Sequence, residues 1–207
     1  MTVLDRLAGA LERRDDRPNV ELAEDLAERG DRNAIKQLVG ALDTGDKRQR
    51  SDALKVLYEI GERRPELIAP YAEVFLGLLT SPSNRQVWGA MRALEAVADE
   101  RPDTLLHELP NILEAADRGS VIAKDSCTAI LVKLASAGHE DVTVPILVER
   151  LKTAAPNQFP TYAEGTASVI TDEAKPGFLA VLKNRIGQVT QRARRERLER
   201  LMRKMGG

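Results

Sequence analysis

The chain has 207 residues and a formal net charge of −1, and 43% of its residues are hydrophobic although only 3% are aromatic. A chain of this length buries about 70% of the surface that its unfolded form exposes, so its core needs no disulfide or metal. One cysteine cannot form an internal disulfide, and two histidines far apart in sequence lack the spacing of a zinc site. The composition therefore predicts an aliphatic core, no metal and no cofactor.

The N-terminus becomes charged at Asp5 and Arg6, before a signal-type apolar stretch can form. No run in the sequence approaches the roughly 18 apolar residues that a membrane-spanning helix needs. These two observations predict a cytoplasmic protein.

Apolar residues recur along most of the chain at the 3.6-residue spacing of an amphipathic helix, whereas the alternating runs and hairpin turns that mark strands are scarce. The chain is therefore predicted to be all-α. In chain order, the predicted helices cover residues 2–14, 19–29, 32–42, 46–62, 66–80, 84–99, 103–117, 121–137, 141–153, 162–171 and 174–204.

The helical pattern repeats with a period of 37 residues. The segment Leu54–Pro65 aligns without a gap on Met91–Pro102, so that Ile60 falls on Val97, and Leu134 takes the same place one period later. A unit of this length holds two helices of about 15 residues and their turns, which is the signature of a helical repeat.

Prolines punctuate the second helix of each unit. Pro65 and Pro102 suit the first turn of a helix, because the N–H that proline lacks has no partner there. Pro70, Pro110 and Pro145 lie further along, so these second helices are predicted to be kinked or to start late.

Residues 33–116 most clearly resemble the HEAT-repeat family, in which an apolar helix precedes an Asp-containing turn, an Arg and an apolar stripe that ends in Gly. In this chain those features are Ala34–Leu42, Gly45, Asp46, Arg50, Ala53, Leu57, Ile60 and Gly61. The resemblance implies a right-handed α-α superhelix, a HEAT-like or armadillo-type solenoid of about four to five helical hairpins with a long C-terminal capping helix. It also implies a partner-binding surface and no particular chemistry.

On this interpretation, residues 1–173 form the solenoid and residues 174–207 form the capping helix of the same domain. Positive charge is concentrated at its end, because the segment from Lys183 onward carries nine Lys and Arg residues against two Glu residues. Such an uneven distribution is typical of an interaction tail.

Three alternatives remain open for this basic end. It caps the last repeat; or it projects as an amphipathic helix that binds nucleic acid, an acidic protein or a second copy of the chain; or it docks on the acidic body of its own chain. The candidate contact residues are Arg192, Arg194, Arg195, Arg197, Leu198, Arg200, Leu201, Met202, Arg203 and Met205.

No pattern in the sequence indicates an active site. Cys127 lies on an apolar stripe that predicts a buried thiol, and Gly-rich phosphate-binding loops are missing. We therefore predict a non-enzymatic scaffold that binds a protein partner and has no catalytic residue. Tyr71, His107, Glu108 and Asn111 are candidate contacts, because they are polar or aromatic and lie off the apolar stripes.

The alternative function is binding of nucleic acid. Bacterial alkylpurine DNA glycosylases resemble this chain in size and helical-repeat build, and they use an aromatic-lined cleft with a carboxylate and a basic concave surface. Here the second helices carry acidic charge, which repels phosphate, and Trp88 is predicted to pack between first helices. Glycosylase activity is retained as one form of this alternative.

Overall fold

The computed structural model describes residues 2–206, and every regular element within them is helical. The α-helices over these residues are α1 (Arg17–Arg29), α2 (Arg32–Thr44), α3 (Lys47–Arg63), α4 (Ala72–Gly77), α5 (Asn84–Val97), α6 (Pro102–His107), α7 (Leu109–Arg118), α8 (Val121–Leu134), α9 (Glu140–Thr153), α10 (Phe159–Ser168), α11 (Lys175–Arg185) and α12 (Arg192–Lys204). The all-α prediction is confirmed.

The chain forms two compact units, one that ends at Cys127 and one that starts at Thr128, with the boundary inside α8. The predicted division at residues 173 and 174 stays a prediction, and its outer ends, Met1 and Gly207, lie outside the described residues.

Two rows of helices build the first unit. Helices α1, α3 and α5 lie side by side and parallel in the first row, and α2 and α4 pack on α3 and α5 as the start of a second row that continues through α6 and α7. Aspartates cap both helices of the α2–α3 hairpin. Asp31 caps α2 by accepting from the backbone of Ala34, and Asp46 caps α3 by accepting from Arg48 and Gln49.

Close approach within the first row depends on Gly89. A Cβ atom at this position would lie 2.7 Å from Cδ2 of Leu54, which belongs to α3 and is only 2% exposed. Because protein interiors are close-packed, Leu54 has little room to move away. Gly89 therefore permits the contact between α3 and α5.

We expect Gly89→Ala to lower the free energy of unfolding by about 1–2 kcal/mol, because overpacking of Leu54 outweighs the gain in helix propensity. Gly40→Ala is the matched control, since nothing lies within 4 Å of the Cβ that it adds to α2. It should raise stability by up to about 1 kcal/mol. Urea unfolding of both variants checks the pair, and equal stabilisation by both would contradict the close contact.

The second row is broken where the prolines predict. Residues 66–80 form 3-10 turns at Pro65–Leu67 and Ala69–Tyr71, the short α4 and a further 3-10 turn, and Pro110 lies just after the junction between α6 and α7. Pro145 behaves differently, because it lies inside α9 without ending the helix. It removes only one hydrogen bond, the one to the carbonyl group of Asp141.

The predicted N-terminal helix over residues 2–14 is wrong. A short 3-10 turn forms at Val3–Arg6, and turns and bends follow it up to residue 14. The backbone N–H groups of Ala8 and Gly9 are bound by side chains from the body of the unit. Ala8 donates to Asn19 Oδ1 at 2.8 Å, and Gly9 donates to Asp52 Oδ2 at 2.8 Å. These tertiary partners replace the helical hydrogen bonds of these two residues.

The predicted single helix over residues 174–204 is also wrong, because the chain turns between α11 and α12. A 3-10 turn at Ile186–Gln188 is followed by Val189, which is extended and buried. The Arg195 guanidinium donates to the Val189 carbonyl group at 2.9 and 3.1 Å. The low helix propensity of Gly187 favours a break here, and the turn brings α12 back onto α10 and α11.

Candidate functional site

The four residues predicted on the second helices do lie in the second row. Tyr71 is half-buried, whereas His107 and Asn111 are exposed. Asn111 Nδ2 donates to Glu108 Oε2 at 2.6 Å. Their contact with a partner stays a prediction.

The apolar residues predicted at the C-terminal end lie within the second unit. Leu198 has no exposed surface and joins a core that includes Phe159 and Phe178. The other three residues pack against that core and are partly buried: Leu201, Met202 and Met205. Helix α12 therefore packs on its own unit and does not project from it.

Most of the predicted arginines of α12 also contact their own unit. Arg194 donates to Asn157, Arg197 pairs with Glu164, and Arg192 pairs with Glu196 within the helix. Arg200 and Arg203 are exposed and have no ion-pair partner among the described residues. Helix α12 is thus part of the core of the second unit, and both its capping of the last repeat and its binding of a partner stay predictions.

An aromatic and charged surface on the first row was not predicted as a site. We call it the α3–α5 face and define it by Lys55, Tyr58, Arg85, Trp88 and Arg92. The ring centroids of Tyr58 and Trp88 are 6.0 Å apart. Lys55 Nζ lies 4.7 Å and the Arg92 guanidinium 5.9 Å from the centroid of the Tyr58 ring, so that two cations flank one aromatic side chain.

Trp88 packs between α3 and α5, which confirms the predicted packing between first helices. Tyr58 is almost fully buried, whereas Trp88 is half-buried. Aromatic side chains in this setting present a large apolar surface with little conformational freedom.

Two chains of ion pairs include Lys55 and Arg92, two of the three charged side chains of the face. The first runs from Lys55 through Glu59 and Arg63 to Glu24 on α1, with distances of 2.6, 2.7 and 3.0 Å. In the second chain, Arg92 pairs with Glu62 on α3 and lies 3.7 Å from Glu95, which accepts from the Ser126 hydroxyl at 2.7 Å. Lys55 and Arg92 are therefore already paired within the fold before any partner binds.

Burial and pairing shift the pKa values of Lys55 and Glu59, which belong to the first chain of ion pairs, away from neutrality. Burial lowers the pKa of Lys55, but hydrogen bonds with Glu59 and Tyr58 more than offset this effect, and the net pKa is raised. Burial raises the pKa of Glu59, but hydrogen bonds from Lys55 and Arg63 outweigh it, and the net pKa is lowered. Both groups are therefore charged near pH 7.

The lowered pKa of Glu59 predicts a pH dependence of stability. A depressed pKa in the fold stabilises it at neutral pH, and this contribution is lost as the pH falls from the ordinary value of 4.5 through the folded value. The melting temperature of Glu59→Gln should therefore fall less between about pH 7 and about pH 3 than that of the unsubstituted chain. Glu114→Gln, at an exposed ion pair with Arg118, should leave that pH profile unchanged. An identical profile for Glu59→Gln would contradict the pairing.

An exposed ion pair links the start of α5 to the start of α1. Arg85 at the start of α5 reaches to within 3.7 Å of Asp16 at the start of α1, although α3 lies between the two helices.

Neither a metal centre nor a reactive thiol accompanies this face. Over residues 2–206, no group of three or more His, Cys, Asp or Glu side chains is arranged to hold a metal ion. The Cys127 thiol is buried, as the apolar stripe predicts. No helix among the described residues combines the length and the apolar character needed to cross a membrane.

The chain matches no protein-family model and no curated protein. It is similar to solved structures, among them a designed armadillo repeat protein in complex with the peptide (KR)4, at 17% identity and a TM-score of 0.66 over 90% of this chain and 86% of that one. Two engineered proteins are similar at 22% identity, with TM-scores of 0.62 and 0.61. The first of them aligns over 100% of this chain and 97% of its own. The second aligns over 99% of this chain and 100% of its own. The predicted armadillo- or HEAT-like α-solenoid fold is confirmed.

Proposed function

We propose that this chain is a repeat scaffold that binds a segment of a protein partner along the α3–α5 face. The observation that carries the proposal is the half-buried Trp88, whose ring centroid lies 6.0 Å from that of Tyr58, a ring that Lys55 and Arg92 flank. Trp, Tyr and Arg side chains in organised, partly enclosed surroundings supply most of the binding energy at protein interfaces.

Organisation before binding supports a docking role. An interface loses affinity when flexible side chains must be ordered as the complex forms. Here Lys55, Glu59 and Arg92 already have partners within the fold, and the indole of Trp88 is confined between two helices. Binding of a partner to the face therefore requires little further ordering of these side chains.

The similar designed armadillo repeat protein binds a peptide. Curved helical repeats offer a long concave surface that suits an extended segment. This likeness in fold supports a peptide-like partner but does not identify its sequence.

We further propose that the scaffold acts by binding and not by catalysis. A general acid or base works best when its pKa lies near the working pH. The pKa shifts of Lys55 and Glu59 move both groups away from neutrality, so neither is poised to exchange a proton there.

Selection from a displayed random-peptide library tests the proposed docking face. Peptides retained by the unsubstituted chain should bind the Trp88→Ala variant at least about tenfold more weakly, the loss typical of an aromatic anchor. Asn111→Ala, in the second row, is the matched control and should leave their affinity unchanged.

The opposite pattern would overturn the proposed face. If the selected peptides tolerate Trp88→Ala but lose affinity in Asn111→Ala, the second-row residues predicted from the sequence form the binding surface instead. Trp88 is the only tryptophan of the chain, so its fluorescence also reports binding directly.

A further inference from the structure

Residues 2–9 form an N-terminal segment that side chains of the first unit hold in place. The backbone N–H groups of Ala8 and Gly9 donate to Asn19 on α1 and Asp52 on α3, each at 2.8 Å. Asn19 also donates to Asp52 at 3.0 Å, so that the two acceptors support each other. Leu7 of the segment is only 1% exposed. The segment therefore lies on the unit through a defined set of contacts, as a separate chain could.

The connection from this segment to α1 is exposed and strained. Every residue from 10 to 16 is exposed to solvent. The chain turns back here through Glu12, whose φ angle of 55° lies in the left-handed region that disfavours side chains other than that of glycine. Hydrogen bonds from Glu12 to Gly9 and from Arg13 to Ala8, at 3.1 and 2.8 Å, close the turn. Return of the chain to its own α1 therefore imposes a disfavoured backbone conformation.

We infer that residues 2–9 exchange between two copies of the chain, so that the segment of each copy lies on the first unit of the other. In the exchanged dimer, the contacts of Leu7, Ala8 and Gly9 form again between chains. The connection opens into an extended form, and the strain at Glu12 is released in both copies. Short connections under strain favour exchange of this kind. The inference goes beyond the proposed function and does not depend on the α3–α5 face.

A second copy is the occupant that these contacts favour. A segment from a different protein has to displace residues 2–9, which a short connection holds at an effective concentration in the millimolar range. A second copy brings the same side chains and vacates an identical site in return. Reciprocal exchange therefore leaves Asn19 and Asp52 with their donors in both copies.

The release of strain sets the expected strength of the dimer. Two connections open in each dimer, so its dissociation constant should lie at least about tenfold below the millimolar effective concentration of the closed form. The buried Leu7 has to leave its place before folded chains can exchange. We therefore expect the dimer to form most readily when the chain refolds at a high protein concentration.

Exchange gives the proposed scaffold a second docking surface. The dimer carries two α3–α5 faces, so a partner with two docking segments that can reach both faces binds it more tightly than it binds one copy. This consequence, unlike the exchange itself, rests on the proposed function.

Charge reversal of one ion pair tests the exchange in the full chain. Arg6 of the segment pairs with Asp25 of α1 at 2.8 Å. In Arg6→Glu two carboxylates meet within one copy, and in Asp25→Arg two cations do. A reciprocal dimer of the two variants restores an attractive pair at both sites. When they refold together from urea at about 0.3 mM each and at low salt, native mass spectrometry with one variant isotope-labelled should find mixed dimers at least about fivefold in excess of like dimers.

Arg17→Glu and Glu21→Arg are the matched control. These two residues form an exposed ion pair at 2.7 Å within α1. Because both belong to the same helix, the pair stays within one copy whether or not the segment is exchanged. A mixture of these two variants should therefore form mixed and like dimers in the proportions of random pairing.

Two substitutions at Glu12 should move the equilibrium in opposite directions. Glycine adopts a positive φ freely, so Glu12→Gly should relax the closed turn and raise the dissociation constant of the dimer at least about tenfold. A β-branched residue is strongly disfavoured there, so Glu12→Val should lower the dissociation constant. Size-exclusion chromatography after refolding at several concentrations measures both, and circular dichroism confirms that the variants are folded.

Two results would overturn the inference. One is a chain that stays monomeric after refolding at concentrations up to about 0.5 mM. The other is a dimer in which Arg6→Glu and Asp25→Arg pair at random, because such a dimer associates through another surface. Neither result bears on the α3–α5 face, which the Trp88→Ala comparison tests separately.

Discussion

Replacing Leu198 with alanine is expected to lower the free energy of unfolding by about 3 kcal/mol. Leu198 is fully buried in the core of the second unit, beside Phe159 and Phe178. The substitution removes apolar contacts and leaves a cavity that the surrounding residues fill only in part. Urea unfolding measures the loss, and hydrogen exchange should locate it in residues 140–206.

Arg200→Ala is the control for this experiment, because Arg200 is an exposed neighbour on the same helix. It should change stability by no more than about 0.5 kcal/mol. A loss below about 1 kcal/mol for Leu198→Ala would show that α12 is not part of the core. For the same reason, deletion of α12 is a poor test of partner binding, since it removes part of the core.

Asp52→Ala is expected to cost about 3 kcal/mol, because it leaves one buried and one partly buried donor without their acceptor. Asp52 is 6% exposed and accepts from the backbone of Gly9 at 2.8 Å and from the amide of the fully buried Asn19 at 3.0 Å. Each buried donor left unsatisfied costs about 1–3 kcal/mol. Thermal and urea unfolding of the variant measure the loss.

The N-terminal segment provides a specific readout for Asp52→Ala. The amide protons of Ala8 and Gly9 should exchange much faster in the variant, because the network that holds this segment is broken. Asp43→Ala, at an exposed position on α2, should leave both stability and exchange unchanged. Unaltered protection of Gly9 in Asp52→Ala would contradict the network.

The helices of the first row were predictable because their apolar stripes are long and locally encoded. Predicted helices over 46–62 and 84–99 correspond to the observed Lys47–Arg63 and Asn84–Val97. Each stripe buries side chains at regular spacing, and the capping aspartate Asp46 stands next to the residues that it caps. Period and cap are both visible in a short window of sequence.

The two ends of the chain were not predictable in this way, because their breaks depend on distant partners. Gly9 donates to Asp52, which lies 43 residues later. A polar residue inside an apolar stripe normally indicates an exposed position, so Asn19 and Asp52 gave no sign of being buried. At the other end, Val189 is extended because its carbonyl group is bound by Arg195 from the following helix.

The α3–α5 face was missed because the repeat period pairs the wrong residues. At 37 residues, Tyr58 corresponds to Glu95, whereas its aromatic contact is with Trp88, 30 residues away. Side chains on the solvent side of neighbouring helices meet at a register that the backbone alignment does not show. The two aromatic residues were each visible in the sequence, but their contact was not.

The indole N–H resonance of Trp88 offers the most direct measurement of where a partner docks. Trp88 is the only tryptophan, so an NMR spectrum contains one such signal, and it can be followed while a selected peptide is titrated into the whole chain. We predict that this signal and the amide signals of residues 47–63 and 84–97 shift together as the peptide binds. Shifts confined to α6 and α7 or to α12, with the Trp88 signal unmoved, would contradict docking on the α3–α5 face.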